Sequence, residues 1–148
     1  SEDRGRKIGF IFQASNLISE LNIVENVEVP LFYQGIHKSV RRQRAMDKLG
    51  IVGLSDRLSH RPRELSGGQQ QRVAIARALV TEPAIIMADE PTGNLDSKTG
   101  EAILEIVTKL HESGMTIIVV THDERVADRC QRVVRLRDGE IESDILRT

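Results

Sequence analysis

Two short runs decide what this chain can fold into. "AIIMADE" (Ala84 to Glu90) and "MTIIVVTHD" (Met115 to Asp123) each hold a continuous apolar stretch ending in polar residues. A strand with one wet face alternates apolar and polar residues, whereas a run apolar at every position needs cover on both faces. That is the signature of a parallel sheet in an α/β protein. The segment between them, "SKTGEAILEIVTKLHESG", places Ile103, Ile106, Val107 and Leu110 on one helical face and stops at Gly114. A strand over Arg6 to Gln13 opens the chain, and "ERVADRC" reads as a short helix near its end. "RVVRLRDGEIES" reads as a hairpin turning at Asp138-Gly139. The expectation is an α/β fold with a mostly parallel sheet.

Residues 14–80 interrupt that rhythm. Leu21, Val24, Val27 and Leu31 recur at spacings of three and four, which suits a helix, with Pro30 and Gly35 expected to break it. Ser39 is the expected cap of a second helix running through Leu49, with Arg41, Arg42 and Arg44 on a basic face. A short helix or turn around Val52 to Leu58 follows, then the loop "SHRPREL" and a helix that ends before Pro83. Three parts result: 1–13 as strand and loop of an α/β core, 14–80 as an inserted helical subdomain, and 81–148 as the rest of the core.

At 148 residues the chain matches one domain. Its longest apolar runs fall well short of the about 20 residues that span a bilayer. The single cysteine, Cys130, excludes an internal disulfide and fits a reducing compartment. A net charge of −1 argues against a general polyanion binder.

In an open parallel sheet, ligands bind beyond the carboxyl ends of the strands. The expected strands end at Gln13, at Asp89-Glu90 and at His122-Asp123. Each alone has an ordinary reading as a loop residue, although adjacent carboxylates repel unless solvated or neutralised by a cation. "ELSGGQQQRVAIARALV" is more pointed. Glycine inside a helix costs about 1 kcal/mol relative to alanine. Yet Gly67 and Gly68 open this helix behind Ser66, a natural N-cap. Bare amides at a helix N-terminus can receive an anion. A plain Ser-Gly turn would account for one glycine only.

"LSGGQ" (Leu65 to Gln69), "IIMADE", "GNLD", His122 and Gln13 together resemble, in order and spacing, the signature, Walker B, D-loop, switch histidine and Q-loop of ATP-binding cassette (ABC) ATPases. "NIVENVEVPLFYQG" and "EPTGNLDSKTGE" are similar to the subgroup that powers macrolide-type export, lipoprotein release and cell-division permeases. The resemblance implies a P-loop NTPase sheet with an α-helical insertion, and ATP and Mg²⁺ as ligands. Glu90 would be the general base, Asp89 would hold Mg²⁺ through water, and His122 would contact the γ-phosphate. Gln13 would approach the metal and the attacking water. Ser66, Gly67, Gly68 and Gln69 would grip the nucleotide of a second, head-to-tail nucleotide-binding domain, with Asp96 across that interface. A homodimer that powers an integral membrane permease, on the cytoplasmic face of the cell membrane, follows from the same resemblance. A nucleic acid partner is not expected. A soluble ABC ATPase acting on nucleic acid and a non-catalytic module are the alternatives.

One element of the family pattern is missing from these residues. Phosphate binding requires Gly-x-x-x-x-Gly-Lys-Ser/Thr. Lys38-Ser39 has His37 and Phe32 at the glycine positions, and Lys98-Thr99 has Ser97 and Thr92. The aromatic residue that commonly stacks on adenine is missing as well. The expectation is therefore a C-terminal portion of a nucleotide-binding domain, inactive alone, rather than a decayed copy.

Overall fold

The computed structural model describes residues 8–147. β1 (Ile8–Ile11), β2 (Ile85–Asp89) and β3 (Thr116–Val120) form a sheet in that order. Both pairings are parallel, with Ile8 opposite Ile85 and Ile85 opposite Thr116. All three carboxyl ends therefore reach the same edge, the one beyond which Gln13, Glu90 and His122 follow in the chain. The expected start of the first strand, at Arg6 and Lys7, lies outside the described residues. β4 (Arg132–Arg137) and β5 (Glu140–Leu146) form a separate antiparallel hairpin. Its turn residues Asp138 and Gly139 have φ of 52° and 79°, the left-handed pair whose twist matches the strands.

The helices are α1 (Ile23–Tyr33), α2 (Lys38–Ile51), α3 (Gly67–Leu79), α4 (Ser97–Glu112) and the short α5 (Glu124–Ala127). Two expectations are corrected. Pro30 lies inside α1 and does not end it. Proline removes one intrahelical bond, but Val24, Val27 and Leu31 are buried on either side of it, and packing rather than propensity stabilises most helices. The cap of α2 is His37, not Ser39; the His37 ring accepts the Ser39 amide at 3.2 Å.

α3 packs against α1, α2, α4 and β1. That central position explains why Val73, Ala74, Ile75 and Ala76 are all 1% exposed or less, a helix buried nearly all round. α3 meets β1 and α4 meets β3, so one sheet face is covered and Ile11, Ile86 and Ala88 are buried beneath it. The opposite face behaves otherwise. Ile8, Phe10, Ile118 and Val120 are 44%, 48%, 44% and 52% exposed. The strands are apolar on both faces, and among the described residues only one face is covered.

Candidate functional site at the strand ends

Glu90 leaves β2 in a left-handed conformation, φ 46°. For a residue other than glycine this strain is worth roughly 1–3 kcal/mol and concentrates at functional sites. The bend is fixed by the Glu90 amide, which donates to the Val120 carbonyl at 2.8 Å. It turns the carboxylate toward the end of β3. There Glu90 Oε2 accepts the Thr121 hydroxyl at 3.0 Å and Oε1 accepts the His122 amide at 2.8 Å. The His122 Nε2 lies 3.3 Å from the same Oε1, with the ring almost fully exposed. A carboxylate offers about four lone-pair positions, so Glu90 is oriented while keeping room to accept a proton from water. Asp89, its neighbour, is exposed at the strand end.

Gln13 is held differently. Its Nε2 donates to Asn94 Oδ1 at 2.9 Å, and Asn94 Nδ2 donates back to the Gln13 carbonyl at 3.3 Å. The arrangement needs Gly93, because a Cβ there would stand 2.7 Å from Gln13 Cδ. Between these loops lies Gln71 of α3, 3% exposed, whose amide donates at 2.9 Å both to the Phe12 carbonyl and to the Pro91 carbonyl. A cleft of about 270 Å³ opens beside it, between the Gln13–Asn16 loop and the head of α3.

The head of α3 is capped from both sides. Ser66 Oγ accepts the Gln69 amide at 3.1 Å and Gln69 Oε1 accepts the Ser66 amide at 3.0 Å. The glycines divide. Gly67 is exposed, and a Cβ on it would make an ordinary 3.5 Å contact with Leu95. Gly68 is buried, and its Cβ would stand 2.4 Å from Thr99 Cγ2 on α4. At Gly68 helix packing against Thr99 is by itself a reason for a bare backbone, one the sequence did not show, whereas at Gly67 packing makes no such demand. Among the described residues no hydrogen bond joins Ser66, Gly67 or Gly68 to Glu90 or His122.

Asp96 serves as the N-cap of α4, accepting the Thr99 amide at 3.4 Å. The Thr99 hydroxyl and amide hold its carboxyl below the ordinary value of 3.8. Asp123 caps α5 in the same manner, and hydrogen bonds from the Arg125 side chain and amide lower its carboxyl too. Among the described residues no three His, Cys, Asp or Glu side chains gather into a metal cage. Asp89 presents one exposed carboxylate at the strand end, and Mg²⁺ commonly takes one or two carboxylates while keeping several waters and phosphate oxygens as its other ligands. Thr121 and Gln71 were not legible in advance, since a threonine after a strand and a glutamine in a glutamine run carry no spacing signal; Asn94 stands in the "GNLD" run, but its bond to Gln13 was not foreseen.

The sequence model described as ABC transporter matches residues 1–93. The chain belongs to the ABC transporter family, as an ATP-binding domain. An uncharacterised ABC transporter ATP-binding protein of Thermotoga maritima is 59% identical over 139 residues, covering 94% of this chain and 59% of that protein. The macrolide export ATP-binding/permease protein MacB of Bartonella quintana is 51% identical over 141 residues, 95% of this chain and 21% of its own. Among solved structures, a dimeric bacterial ABC transporter cassette superposes with a TM-score of 0.80 at 50% identity, covering 98% of this chain and 65% of that one. The same type of cassette in a dimeric post-hydrolysis state bound to ADP and Pi gives 0.79 at 49% identity, with 97% and 64% covered. This ABC chain thus spans about three-fifths of the length of its ATP-binding relatives. Among the described residues no helix is long and apolar enough to cross a membrane.

Proposed function

We propose that this ABC chain supplies the signature, general base and switch side of an ATP-hydrolysing cassette that drives a membrane permease from the cytoplasmic face of the membrane. The observation that carries the reading is the strained Glu90, with both carboxylate oxygens held by the end of β3. A fixed carboxylate with spare acceptor capacity is what polarising a water demands, and such groups typically contribute about 10²–10⁴-fold in rate. His122, exposed beside it, would meet a terminal phosphate. Gln13, steadied by Asn94, stands beyond the neighbouring strand end. Asp89 would hold Mg²⁺, which supplies charge neutralisation on the β- and γ-phosphates.

The free Gly67 amide and the Ser66 hydroxyl, away from Glu90 in their own chain, suit a nucleotide carried by a second copy in a head-to-tail dimer. Asp96 would then lie at that contact. The dimeric state of the solved cassettes supports this arrangement. The permease partner is supported by the MacB relative, whose name joins ATP-binding and permease functions, and the proposed subgroup is that of macrolide-type export, lipoprotein release and cell-division permeases. Wrapping the β- and γ-phosphates further requires a Gly-x-x-x-x-Gly-Lys-Ser/Thr segment, which none of these 148 residues forms. The domain division at 13 and 80 belongs to the same reading, with 14–80 receiving the permease through Phe32 and Tyr33, both exposed.

The test is Mg-ATP turnover by the full-length protein that contains these residues. Glu90→Gln should lower kcat by at least about 10²-fold while ATP binding persists. Undiminished turnover in that variant would remove Glu90 from the chemistry and with it the reading.

A further inference from the structure

We infer that Gln71 is a positioning residue that locks the Gln13 loop and the Glu90 loop to the signature helix as one unit. Gln71 stands on α3, five residues beyond Ser66 in a helix whose first turn is the signature. Its side chain is 3% exposed, and its single amide nitrogen donates to Phe12 and to Pro91, each at 2.9 Å. Phe12 immediately precedes Gln13, and Pro91 immediately follows Glu90. Both carbonyls belong to residues just past strand ends, where no ladder partner takes them. One amide thus satisfies two backbone acceptors on two different loops, 59 and 20 residues away in sequence.

The chemistry of the side chain matters here. Glutamate has no donor when ionised and would face two carbonyls with a negative charge; methionine or leucine would leave both carbonyls unsatisfied in a buried site. The neighbouring Gln70 serves a separate loop, donating to the Pro62 and Leu65 carbonyls. Gln71 therefore ties the position of α3 to the positions of the two groups proposed above to handle the attacking water. A movement of the signature helix, such as docking against a second copy's nucleotide would cause, reaches both loops at once through this amide, while Arg77 ties α3 to Ser15 and Asn16 only. The inference rests on the reading of Gln13 and Glu90 given above.

The experiment uses the full-length ATPase with Gln71→Met and Gln71→Glu, alone and with Gln13→Ala, and Glu90→Gln as the control. Gln71→Met should lower kcat by about ten- to hundredfold, the scale of a misplaced reacting group, with KM for ATP within about twofold. In the Gln13→Ala background the same change should cost markedly less, because the two act as a unit. Gln71→Glu should be impaired at neutral pH and recover toward parent activity as acid protonates the carboxyl and restores one donor. Amide hydrogen exchange should rise in residues 12–16 and 91–94 while α3 stays protected, a readout that needs no turnover. Unchanged kcat, a loss identical in both backgrounds, a loss that tracks only a lowered Tm, or failure of both variants to fold would each overturn the inference. Activity retained by Glu90→Gln with the exchange pattern present would instead overturn the functional reading and leave the clamp standing.

Discussion

Single residues at the strand ends carry two kinds of work that look alike in sequence. Gly67 and Gly68 are adjacent, yet only Gly68 is packed against another helix. Gly68→Ala should destabilise the fold by about 1–3 kcal/mol, since a methyl group there overpacks the Thr99 contact. Gly67→Ala should melt like the parent and lose nucleotide response instead; denaturant titration beside ATPase measurement separates the two. Asp96 titrates in a defined direction. Its carboxyl sits below the ordinary 3.8 because the folded state hydrogen-bonds the ionised form. The α4 cap is therefore complete above the unfolded value and is lost as pH falls through the lower folded one. Exchange protection of the Thr99 amide should fall in acid below about 3.8, and an Asp96→Asn variant, which caps without titrating, should not share that dependence.

Elements are joined by buried polar side chains more than by their own propensities. Asn26 of α1 is fully buried. It accepts the Ile18 amide at 2.7 Å and donates to the Ile18, Leu21 and Asn22 carbonyls at 3.1, 3.2 and 3.0 Å. The loop entering α1 is thereby folded onto the helix. Asn26→Ala strands the Ile18 amide and should cost about 1–3 kcal/mol in chemical denaturation. Asn26→Asp should cost more at neutral pH, because a carboxylate would face three carbonyls. Arg77 of α3 performs a related service, donating to the Ser15 and Asn16 carbonyls at 2.6 and 3.1 Å, and burial lowers its guanidinium below the usual value. With Gln71, three side chains from two helices, α1 and α3, hold the segment between β1 and α1.

At the scale of the molecule, the sheet has one covered and one bare face among the described residues. Ile8, Phe10, Phe12, Ile118 and Val120 present an apolar surface, with the Phe10 and Phe12 rings stacked at 5.9 Å. Exposed apolar patches beyond a few hundred Å², by the usual rough threshold, mark association surfaces. The isolated 148-residue chain should self-associate or bind an apolar dye such as ANS. Sedimentation as a clean monomer with no dye response would contradict this. Negligible ATP hydrolysis by the same isolated chain is the companion expectation, checked by phosphate release.

The amino-acid order alone determined what depends on near neighbours. Alternating strand and helix signals, the Ser66 cap and the Asp138-Gly139 turn are set by residues within one turn or one strand, so they were readable as patterns. Family membership was readable for the same reason, since its motifs are short and contiguous. Tertiary structure decided everything that depends on residues far apart. Pro30 was tolerated because buried partners on other helices hold α1. Gly68 was fixed by a threonine on α4, and His37 took a cap that Ser39 was expected to supply. The union of Gln13 and Glu90 through Gln71 spans loops 59 and 20 residues from it. No local pattern encodes a contact whose partners meet only after the strands have paired.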